Sequence, residues 1–365
     1  MGLNKNITVI MGDGIGPEIT SQAIRVLDTI ADQFEHSFKY HYINRESQIS
    51  QSNHSTLSKE TIDVCKSSDA ILFGTINAST NNINSDWGNK LKKELGLFAT
   101  IRPVASFGSL HHLSALRTAV LEDANLVVYR EIEGGKVIEE NETNNENQST
   151  DLLLYNSSQI ERIAELAYKH AQKRRKKITL FHKSNELETS KLWIETIKKI
   201  SRSYPEIETQ YLHIEEGAIK LISNPAQFDV ILSENIFGDI ISSISSAIAG
   251  SRGMLPSACV GENNALFETV LGACPDAAGK DIANPIGAIL SAAMMLRHFG
   301  LKEEVEKIIQ AVVWTVEHGF VTKDIDPVNF YFTTTIGEMI CDHIQNNSLE
   351  SVHLENIQLR KSTII

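Results

Sequence analysis

Two segments of this 365-residue chain place glycine and charged residues together in patterns that could bind an anion or support catalysis. The first, GDGIGPE over Gly12–Glu18, lies between an apolar run and an amphipathic one. The second runs from Phe228 to Pro285 and joins an acidic helix start to a turn rich in Gly, Asp and Asn. Glycine lets backbone amides approach a ligand, and a helix N-terminus favours anions. The Gly12–Glu18 turn matches neither G-x-G-x-x-G nor a Walker loop, so on its own a plain tight turn is the simpler interpretation.

Alternating strands and helices must position these segments, as in an α/β protein. The run ITVIM enters the first turn, and the residues leaving it are apolar at helical spacing, at Ile19, Ala23, Val26, Leu27 and Ile30. Further strands are predicted over residues 70–76, 126–132, 178–184 and 229–235, and helices over 160–177 and 286–318. The polar segment Glu139–Thr150 is predicted to be a solvated loop or arm.

Composition limits the functional classes. The hydrophobic content of 42% and the charged content of 22% are ordinary for a globular protein of one large or two medium domains. The net charge of −12 argues against a nucleic-acid-binding surface. The four cysteines include no C-x-x-C pair, which argues against a zinc knuckle or a disulfide framework and favours reduced thiols in the cytosol.

No segment of the sequence predicts export or membrane insertion. The apolar run Ile7–Ile10 is four residues long, too short for the core of a signal peptide. No stretch approaches the roughly 18 apolar residues that span a bilayer. The sequence therefore predicts a cytoplasmic protein without membrane contact.

Six motifs occur in the order and spacing of one enzyme family. They are LKKELGLFATIRP (91–103), REIEGG (130–135), AYKHAQKRRKKITLFHKSN (167–185), NPAQFDVILSENIFGDI (224–240), GMLPSACVGE (253–262) and PDAAGKDIANPIGAILSAAMMLR (275–297). Together with the GDGIGPE turn, where Met11 replaces the usual proline, they resemble the β-decarboxylating dehydrogenases, the family of 3-isopropylmalate and isocitrate dehydrogenases. Residues 94–103 and 175–185 resemble the 3-isopropylmalate branch in particular.

This resemblance implies a two-domain α/β fold of the isopropylmalate/isocitrate dehydrogenase type, with a shared central sheet and not a classical Rossmann fold. Residues 1–98 plus 254–365 would form a discontinuous NAD-binding domain. Residues 99–253 would form a central domain with the dimer interface and the substrate and metal residues. The resemblance also implies a homodimer whose clefts are each completed by the partner. The implied reaction is NAD-dependent oxidative decarboxylation of 3-isopropylmalate to 2-oxoisocaproate, a step of leucine biosynthesis.

Matching positions carry the implied substrate chemistry. The resemblance assigns Arg102, Arg130 and Lys92 to the substrate carboxylates, and Lys183 to the proton of the 2-hydroxyl. Lys92 replaces a third arginine of the family, so it keeps the charge but cannot bind a carboxylate bidentately. A lysine near a metal and other cations can have its pKa lowered and act as a base. The family tyrosine that protonates the enolate falls at Val137, which cannot donate a proton.

The implied metal is Mg²⁺ or Mn²⁺. It would be held by Asp239 at a helix start and by Glu215 of the partner, where aspartate is usual. A second aspartate of the family, one turn after Asp239, is Ser243 here. Hard cations prefer several oxygen ligands, so substrate and water would supply the rest. In the alternative interpretation, Asp239 is only a negative charge at a helix N-terminus.

The resemblance assigns NAD to five positions, Gly272, Asp276, Gly279, Asn284 and, near the nicotinamide, Asn185. The Asp276 carboxylate can accept hydrogen bonds from ribose hydroxyls and repels a 2′-phosphate, which favours NAD over NADP. Leu271 replaces a family histidine and removes one polar contact on the adenine side.

The substituent of the substrate is less well defined by the sequence. The 3-isopropylmalate branch has a Leu-Leu pair around the isopropyl group, and these positions hold Gly88 and Asn89 here. They favour a polar or smaller group, and Ser85 and Asn89 could serve a third carboxylate. Three hypotheses stay open: turnover of 3-isopropylmalate, the same chemistry on an isocitrate-, homoisocitrate- or tartrate-type malate, and a catalytically degenerate paralogue that binds a ligand or a partner subunit.

Overall fold

The computed structural model describes residues 2–43, 57–76, 87–135, 137–139 and 151–345, with residues 137–139 and 151 described as backbone. The predicted polar loop after Glu139 and the candidate Ser85 lie outside the described residues. None of the described helices is long and apolar enough to cross a membrane.

The described strands are β1 (Asn4–Gly12), β2 (Ser37–Tyr42), β3 (Ala70–Thr75), β4 (Leu97–Ala105), β5 (Asn125–Glu131), β6 (Val137–Glu139), β7 (Asp151–Leu153), β8 (Lys177–His182), β9 (Glu208–His213), β10 (Val230–Ser233), β11 (Pro256–Gly261) and β12 (Ala265–Thr269).

The described α-helices are α1 (Gly16–Phe34), α2 (Lys59–Ser67), α3 (Trp87–Glu94), α4 (Thr118–Leu121), α5 (Ser157–Ala171), α6 (Glu188–Ile200), α7 (Ile214–Ser223), α8 (Asn235–Ile244), α9 (Ser246–Ala249), α10 (Ile286–His298), α11 (Lys302–Glu317) and α12 (Thr333–Gln345). Short 3₁₀ turns cover Gly108–Leu113, Ser201–Ser203, Pro225–Gln227, Arg252–Met254 and Pro275–Ala277.

Ten of the described strands form one mixed sheet, in the order β2-β1-β3-β12-β11-β4-β5-β10-β8-β9. In its middle, β11 is antiparallel to β12 and β4, and β4 is antiparallel to β5. The outer strands on both sides pair in parallel. The sheet runs without a break from β2 to β9, so the predicted α/β fold with a shared central sheet is confirmed. The strands β6 and β7 form a separate antiparallel ribbon, with Val137 opposite Leu153.

The helix after the first turn packs as its sequence pattern predicts. The apolar residues of α1 that define its periodicity are fully buried, against α10 and α12. Pro17 lies in the first turn, where its missing N–H is not needed. The helix ends at Phe34, and the capping residue Glu35 has a left-handed φ of 57°. This end fixes where the chain turns into β2.

The predicted helix over residues 286–318 is two helices, because the chain turns at Gly300, whose φ is 85°. The first of them, α10, is buried from Ile286 to Leu296 and lies against β11 and β12. A helix buried all round belongs to a core, and α10 therefore anchors the turn that precedes it.

Candidate functional site

A cavity of about 570 Å³ opens between α3, β4, β5 and the start of α8. Its lining residues are Asn89, Lys90, Lys92, Lys93, Gly96, Leu97, Thr100, Arg102, Arg130, Ile132, Glu133, Asn235 and Glu268. All three residues predicted to bind substrate carboxylates are among them. The lining holds five cationic side chains and two carboxylates, which suits an anionic ligand.

The two arginines reach the cavity because of strand register. Arg130 on β5 lies opposite Thr100 on β4, and Arg102 is two residues further along β4. Side chains two residues apart on a strand share a face, as do directly opposed ones. Both guanidinium groups therefore project from the same face of the central sheet.

Helix α8 fixes the Arg130 guanidinium. The Asn235 side-chain oxygen accepts hydrogen bonds from Arg130 Nε at 3.2 Å and Nη2 at 2.8 Å. A β-carbon on Gly238 would lie 2.7 Å from Arg130 Cγ, so glycine there lets the helix approach. Arg130 Nη1 donates to the Asp239 carboxylate.

Asp239 is paired with both arginines. Arg102 Nη1 lies 3.7 Å from the same carboxylate oxygen and also donates to the Ser242 hydroxyl. Burial lowers the pKa of the Arg130 guanidinium, and the charge of Asp239 acts against that shift. Helix α8 begins at Asn235, so Asp239 lies in its second turn and not at its start. Because dipole effects are confined to the first turn, the alternative role of Asp239 as a helix N-terminal charge is wrong.

Lys92 has a buried partner in the same chain. Its Nζ lies 2.7 Å from Glu268 on β12, and the Cys259 thiol donates to the same Glu268 oxygen at 3.2 Å. Burial alone would lower the pKa of Lys92, but the Cys259 sulfur and the Glu268 carboxylate outweigh it and raise that pKa. Burial would raise the pKa of Glu268, and Lys92 outweighs it and lowers that pKa. The pair is therefore ionised, and the charge of Lys92 is neutralised internally.

Lys183 lies apart from this cavity lining. It directly follows β8, and its ammonium contacts Glu215 in the first turn of α7, with Glu186 at 3.2 Å. Its backbone N–H donates to Ser190 Oγ at 3.1 Å, and Ser190 in turn donates to the buried Glu234. Burial raises the pKa of Glu234 to about 7, while the Ser190 hydrogen bond acts in the opposite direction.

The predicted metal ligands do not form a cation site within one chain. Among the described residues, no three His, Cys, Asp or Glu side chains lie close enough together to hold a metal. Asp239 is neutralised by arginines, and Glu215 by Lys183. Mg²⁺ needs several oxygen ligands with free lone pairs, so the donor set of a single chain does not fit it.

The Gly12–Glu18 turn lies against the turn that follows β12. Gly14 has a φ of 61°, and a β-carbon there would lie 1.9 Å from the Ala273 carbonyl oxygen. The Ile15 N–H donates to that oxygen at 2.8 Å. The Glu18 carboxylate accepts a hydrogen bond from the Gly279 N–H. The glycines of the first turn thus serve close packing between two loops.

The positions predicted for NAD lie mostly on the surface of the second loop. The Asp276 side chain is exposed in the 3₁₀ turn Pro275–Ala277, and the backbones of Gly272 and Gly279 face open space. Asn284 is different, because it is 3% exposed, caps the Ile286 N–H at 3.0 Å and donates to Asp324 at 3.2 Å. Its side chain therefore holds the loop in place.

The fifth predicted NAD position, Asn185, is exposed in the turn between β8 and α6, two residues after Lys183.

Sequence reasoning missed the partners of the predicted residues. Glu268, Asn235 and Ser242 each fix one of the cations at the cavity. Of these three, only Glu268 could have been identified from the sequence. A charged residue inside the apolar run ALFETV is expected to be buried and therefore to need a partner.

A model of the isocitrate/isopropylmalate dehydrogenase family matches residues 6–340. A 3-isopropylmalate dehydrogenase from Wolinella succinogenes is 40% identical, over 87% of this chain and 91% of the relative. One from Thermotoga maritima is 38% identical, over 93% of this chain and 99% of the relative.

Two solved structures share the fold. The isocitrate dehydrogenase from Methylococcus capsulatus superposes with a TM-score of 0.83 at 29% identity, covering 94% of this chain and all of that one. A β-decarboxylating dehydrogenase from Thermococcus kodakarensis gives a TM-score of 0.78 at 32% identity, covering 95% of this chain and all of that one.

Proposed function

Because this chain belongs to the isocitrate/isopropylmalate dehydrogenase family, we propose that it catalyses NAD-dependent oxidative decarboxylation of a 3-substituted malate, the class that includes 3-isopropylmalate. The observation that carries the proposal is the pair Arg102 and Arg130 on one face of the sheet, at the wall of a cationic cavity. Arg102 Nε is buried and has no acceptor among the described residues. A substrate carboxylate would satisfy that donor.

In the proposed reaction, the hydride at C2 would pass to bound NAD and the proton of the 2-hydroxyl to a base, which leaves a ketone. The C3–carboxylate bond then breaks, carbon dioxide leaves, and the electron pair forms an enolate that takes up a proton at C3. Lys183 is the proposed base, and the residues for NAD are those predicted on the loop after β12, led by Asp276.

The proposed site needs a second copy of the chain, because Lys183 does not line the cavity of its own chain. Apolar side chains are exposed on the two helices involved: Ile219 on α7 is 69% exposed, and Ile236 and Ile240 on α8 are 43% and 51% exposed. Exposed apolar patches mark interaction surfaces, and a two-fold dimer uses the same patch on both copies. A homodimer would cover these helices and bring Lys183 of the partner subunit to the cleft.

The proposal assigns no step to a divalent metal. The carboxylates at the cleft of one chain are already paired with cations: Asp239 with Arg102 and Arg130, Glu268 with Lys92, and Glu133 with Arg162. A metal would therefore depend on carboxylates from outside this cleft, such as Glu215 of the partner subunit. The positive charge that one chain offers to a developing enolate comes from Arg102 and Arg130.

A second candidate function, ligand binding without turnover, is favoured by the same ion pairs. Asp239 is paired with two arginines. Ser243, one turn later, stands where the family has a second aspartate, and Val137 stands where it has the tyrosine that protonates the enolate. A chain with these residues could bind a dicarboxylate and regulate a partner.

The two candidates are separated by measuring NADH formation from 3-isopropylmalate, isocitrate, homoisocitrate, malate and tartrate, with and without Mg²⁺ or Mn²⁺. Turnover should fall about 100-fold or more in Lys183→Ala, the contribution of a general base. Val137→Tyr should raise it. Lys191→Ala on the exposed surface of α6 is the matched control. If no substrate gives Lys183-dependent turnover while malate still raises the melting temperature, the enzymatic proposal fails and the binding function stands.

A further inference from the structure

We infer that Asp281 is a positioning residue for the cofactor, because it holds the loop between β12 and α10 in the shape that binds NAD. This inference rests on the proposed function for the identity of the cofactor, and it adds a residue that acts through the loop. It follows from the backbone conformation of Asp281 and from the hydrogen bonds that this residue accepts.

Asp281 has a backbone conformation that residues other than glycine rarely adopt. Its φ of 55° lies in the left-handed region. Aspartate tolerates this region better than most residues, but the conformation still costs free energy and persists only where neighbouring groups hold it. Other contacts must therefore stabilise Asp281 in this loop.

These contacts come from the first turn of α12. The Asp281 carbonyl oxygen accepts a hydrogen bond from the Thr333 N–H at 2.9 Å. One oxygen of the Asp281 carboxylate accepts from the Thr334 N–H at 3.0 Å, and the other accepts from the Thr334 hydroxyl at 2.6 Å. The carboxylate of one loop therefore caps a distant helix and lies at the positive end of its dipole. We call this contact of Asp281 with Thr333 and Thr334 the Asp281 clamp.

A second contact ties the same loop to α1. Glu18, in the first turn of α1, accepts a hydrogen bond from the Gly279 N–H. The helices α1 and α12 pack against each other, so both contacts hold the loop to one packed pair of helices. The predicted cofactor residues stay accessible, because the Asp276 side chain is exposed and the backbones of Gly272 and Gly279 face open space. The loop is thus fixed from behind and open toward a nucleotide.

This arrangement separates cofactor affinity from the chemical step. A loop that is ordered before the cofactor arrives binds it more tightly, because binding does not have to supply the free energy of ordering. A residue that only orders the loop contributes equally to the ground state and the transition state. Loss of the Asp281 clamp should therefore raise KM for NAD and leave kcat unchanged.

The test measures NADH binding to the full-length protein by nicotinamide fluorescence, and malate binding by calorimetry. Asp281→Gly removes the carboxylate, and glycine adopts a φ of 55° readily, so the loop can still follow its path. Asp281→Asn and Thr334→Ala each remove only part of the clamp. Asp123→Gly is the matched control, because it replaces another aspartate of positive φ, 60°, just before β5.

We expect Asp281→Gly to weaken NADH binding about tenfold, equivalent to ~1.4 kcal/mol. Asp281→Asn and Thr334→Ala should each weaken it less, and adding Thr334→Ala to Asp281→Gly should have little further effect, because the two residues share one contact. Asp123→Gly should bind NADH like the wild type. Malate binding should be the same in every variant, and where turnover is measured only KM for NAD should rise.

Four results would each overturn the inference: no NADH binding by the wild type, unchanged binding in Asp281→Gly, equal weakening in Asp123→Gly, or a parallel loss of malate binding in Asp281→Gly. If NADH binding depends on Asp281 while no malate forms NADH, the proposed function fails and the inference stands. If turnover depends on Lys183 while Asp281→Gly binds NADH like the wild type, the inference fails and the proposed function stands.

Discussion

Each cation that the sequence assigned to the substrate or to proton transfer meets a carboxylate of its own chain. Lys92 meets Glu268, both arginines meet Asp239, and Lys183 meets Glu215. Deeply desolvated charges are tolerated only when paired, so these contacts stabilise the cluster of cations in the cleft. An anionic ligand must compete with them, and the pair it displaces most readily is the one nearest solvent, at Asp239, whose side chain is 53% exposed.

The Lys92–Glu268 pair should matter for stability. We expect Lys92→Met to lower the free energy of unfolding by about 3 kcal/mol, because it leaves a buried carboxylate without its cation. The double variant Lys92→Met/Glu268→Gln should recover part of this loss, and Lys93→Met, at an exposed position of the same helix, should change stability little. Urea unfolding measures all three. A loss in the double variant as large as in Lys92→Met would contradict the pairing argument.

Glu234 should make stability depend on pH. Its folded pKa of about 7 lies above the usual value of 4.5, so the folded state binds the proton more tightly than the unfolded state. That contribution to stability is fully present below about pH 4.5 and is lost as pH rises to about 7. Glu234→Gln should therefore raise the melting temperature at pH 8 relative to the wild type and have a much smaller effect at pH 5. Calorimetry measures both melting temperatures. An equal shift of the melting temperature at both pH values would mean that the substitution acts through packing and not through ionisation of Glu234.

At this scale the sequence could predict the charged residues of the cleft but not their pairing. Arg130 lies in a predicted strand, whereas the strand β4 that carries Arg102 was not predicted, and the register of β4 and β5 brings the two arginines together. Lys92 and Glu268 are 176 residues apart, and only the sheet order makes them neighbours.

At the scale of elements, the sequence predicted five strands of the central sheet and missed the other five. The predicted strands at ITVIM and over residues 70–76, 126–132, 178–184 and 229–235 are confirmed as β1, β3, β5, β8 and β10. The strands β2 and β9 were missed because their residues are partly exposed and mixed in polarity, as at the edges of the sheet. The strands β4, β11 and β12 were not predicted either, although most of their residues are buried. The break between α10 and α11 was missed because apolar periodicity continues through Gly300.

The contact between the two loops at the ends of β1 and β12 is an element-scale feature with a testable cost. Gly14→Ala should destabilise the protein by at least about 2 kcal/mol, since alanine resists positive φ and its β-carbon would clash with Ala273. The matched control is Gly272→Ala, where a β-carbon meets open space. Thermal unfolding of both variants tests this, and equal melting temperatures would show that the loops can separate without penalty.

At the scale of the whole molecule, the exposed isoleucines predict how the chain assembles. We expect Ile240→Glu to convert a dimer to monomers in sedimentation velocity and to abolish Lys183-dependent turnover, because a charge would be buried in the proposed interface. Val328→Glu is the control, since Val328 is 80% exposed outside α7 and α8. A wild-type monomer, or an Ile240→Glu variant that stays dimeric and active, would contradict this assembly.

The sheet order also dictates when each half of the molecule can be completed during synthesis. β3 ends at Thr75, but its second neighbour, β12, begins only at Ala265. Strands β4, β5, β8, β9 and β10 are all made in between and pair with one another. These central strands are therefore synthesised and can pair while the edge of β3, with its apolar residues, still lacks its partner. The part of the chain made first is the last to close, and the nascent protein must be protected from aggregation at that edge until β12 emerges.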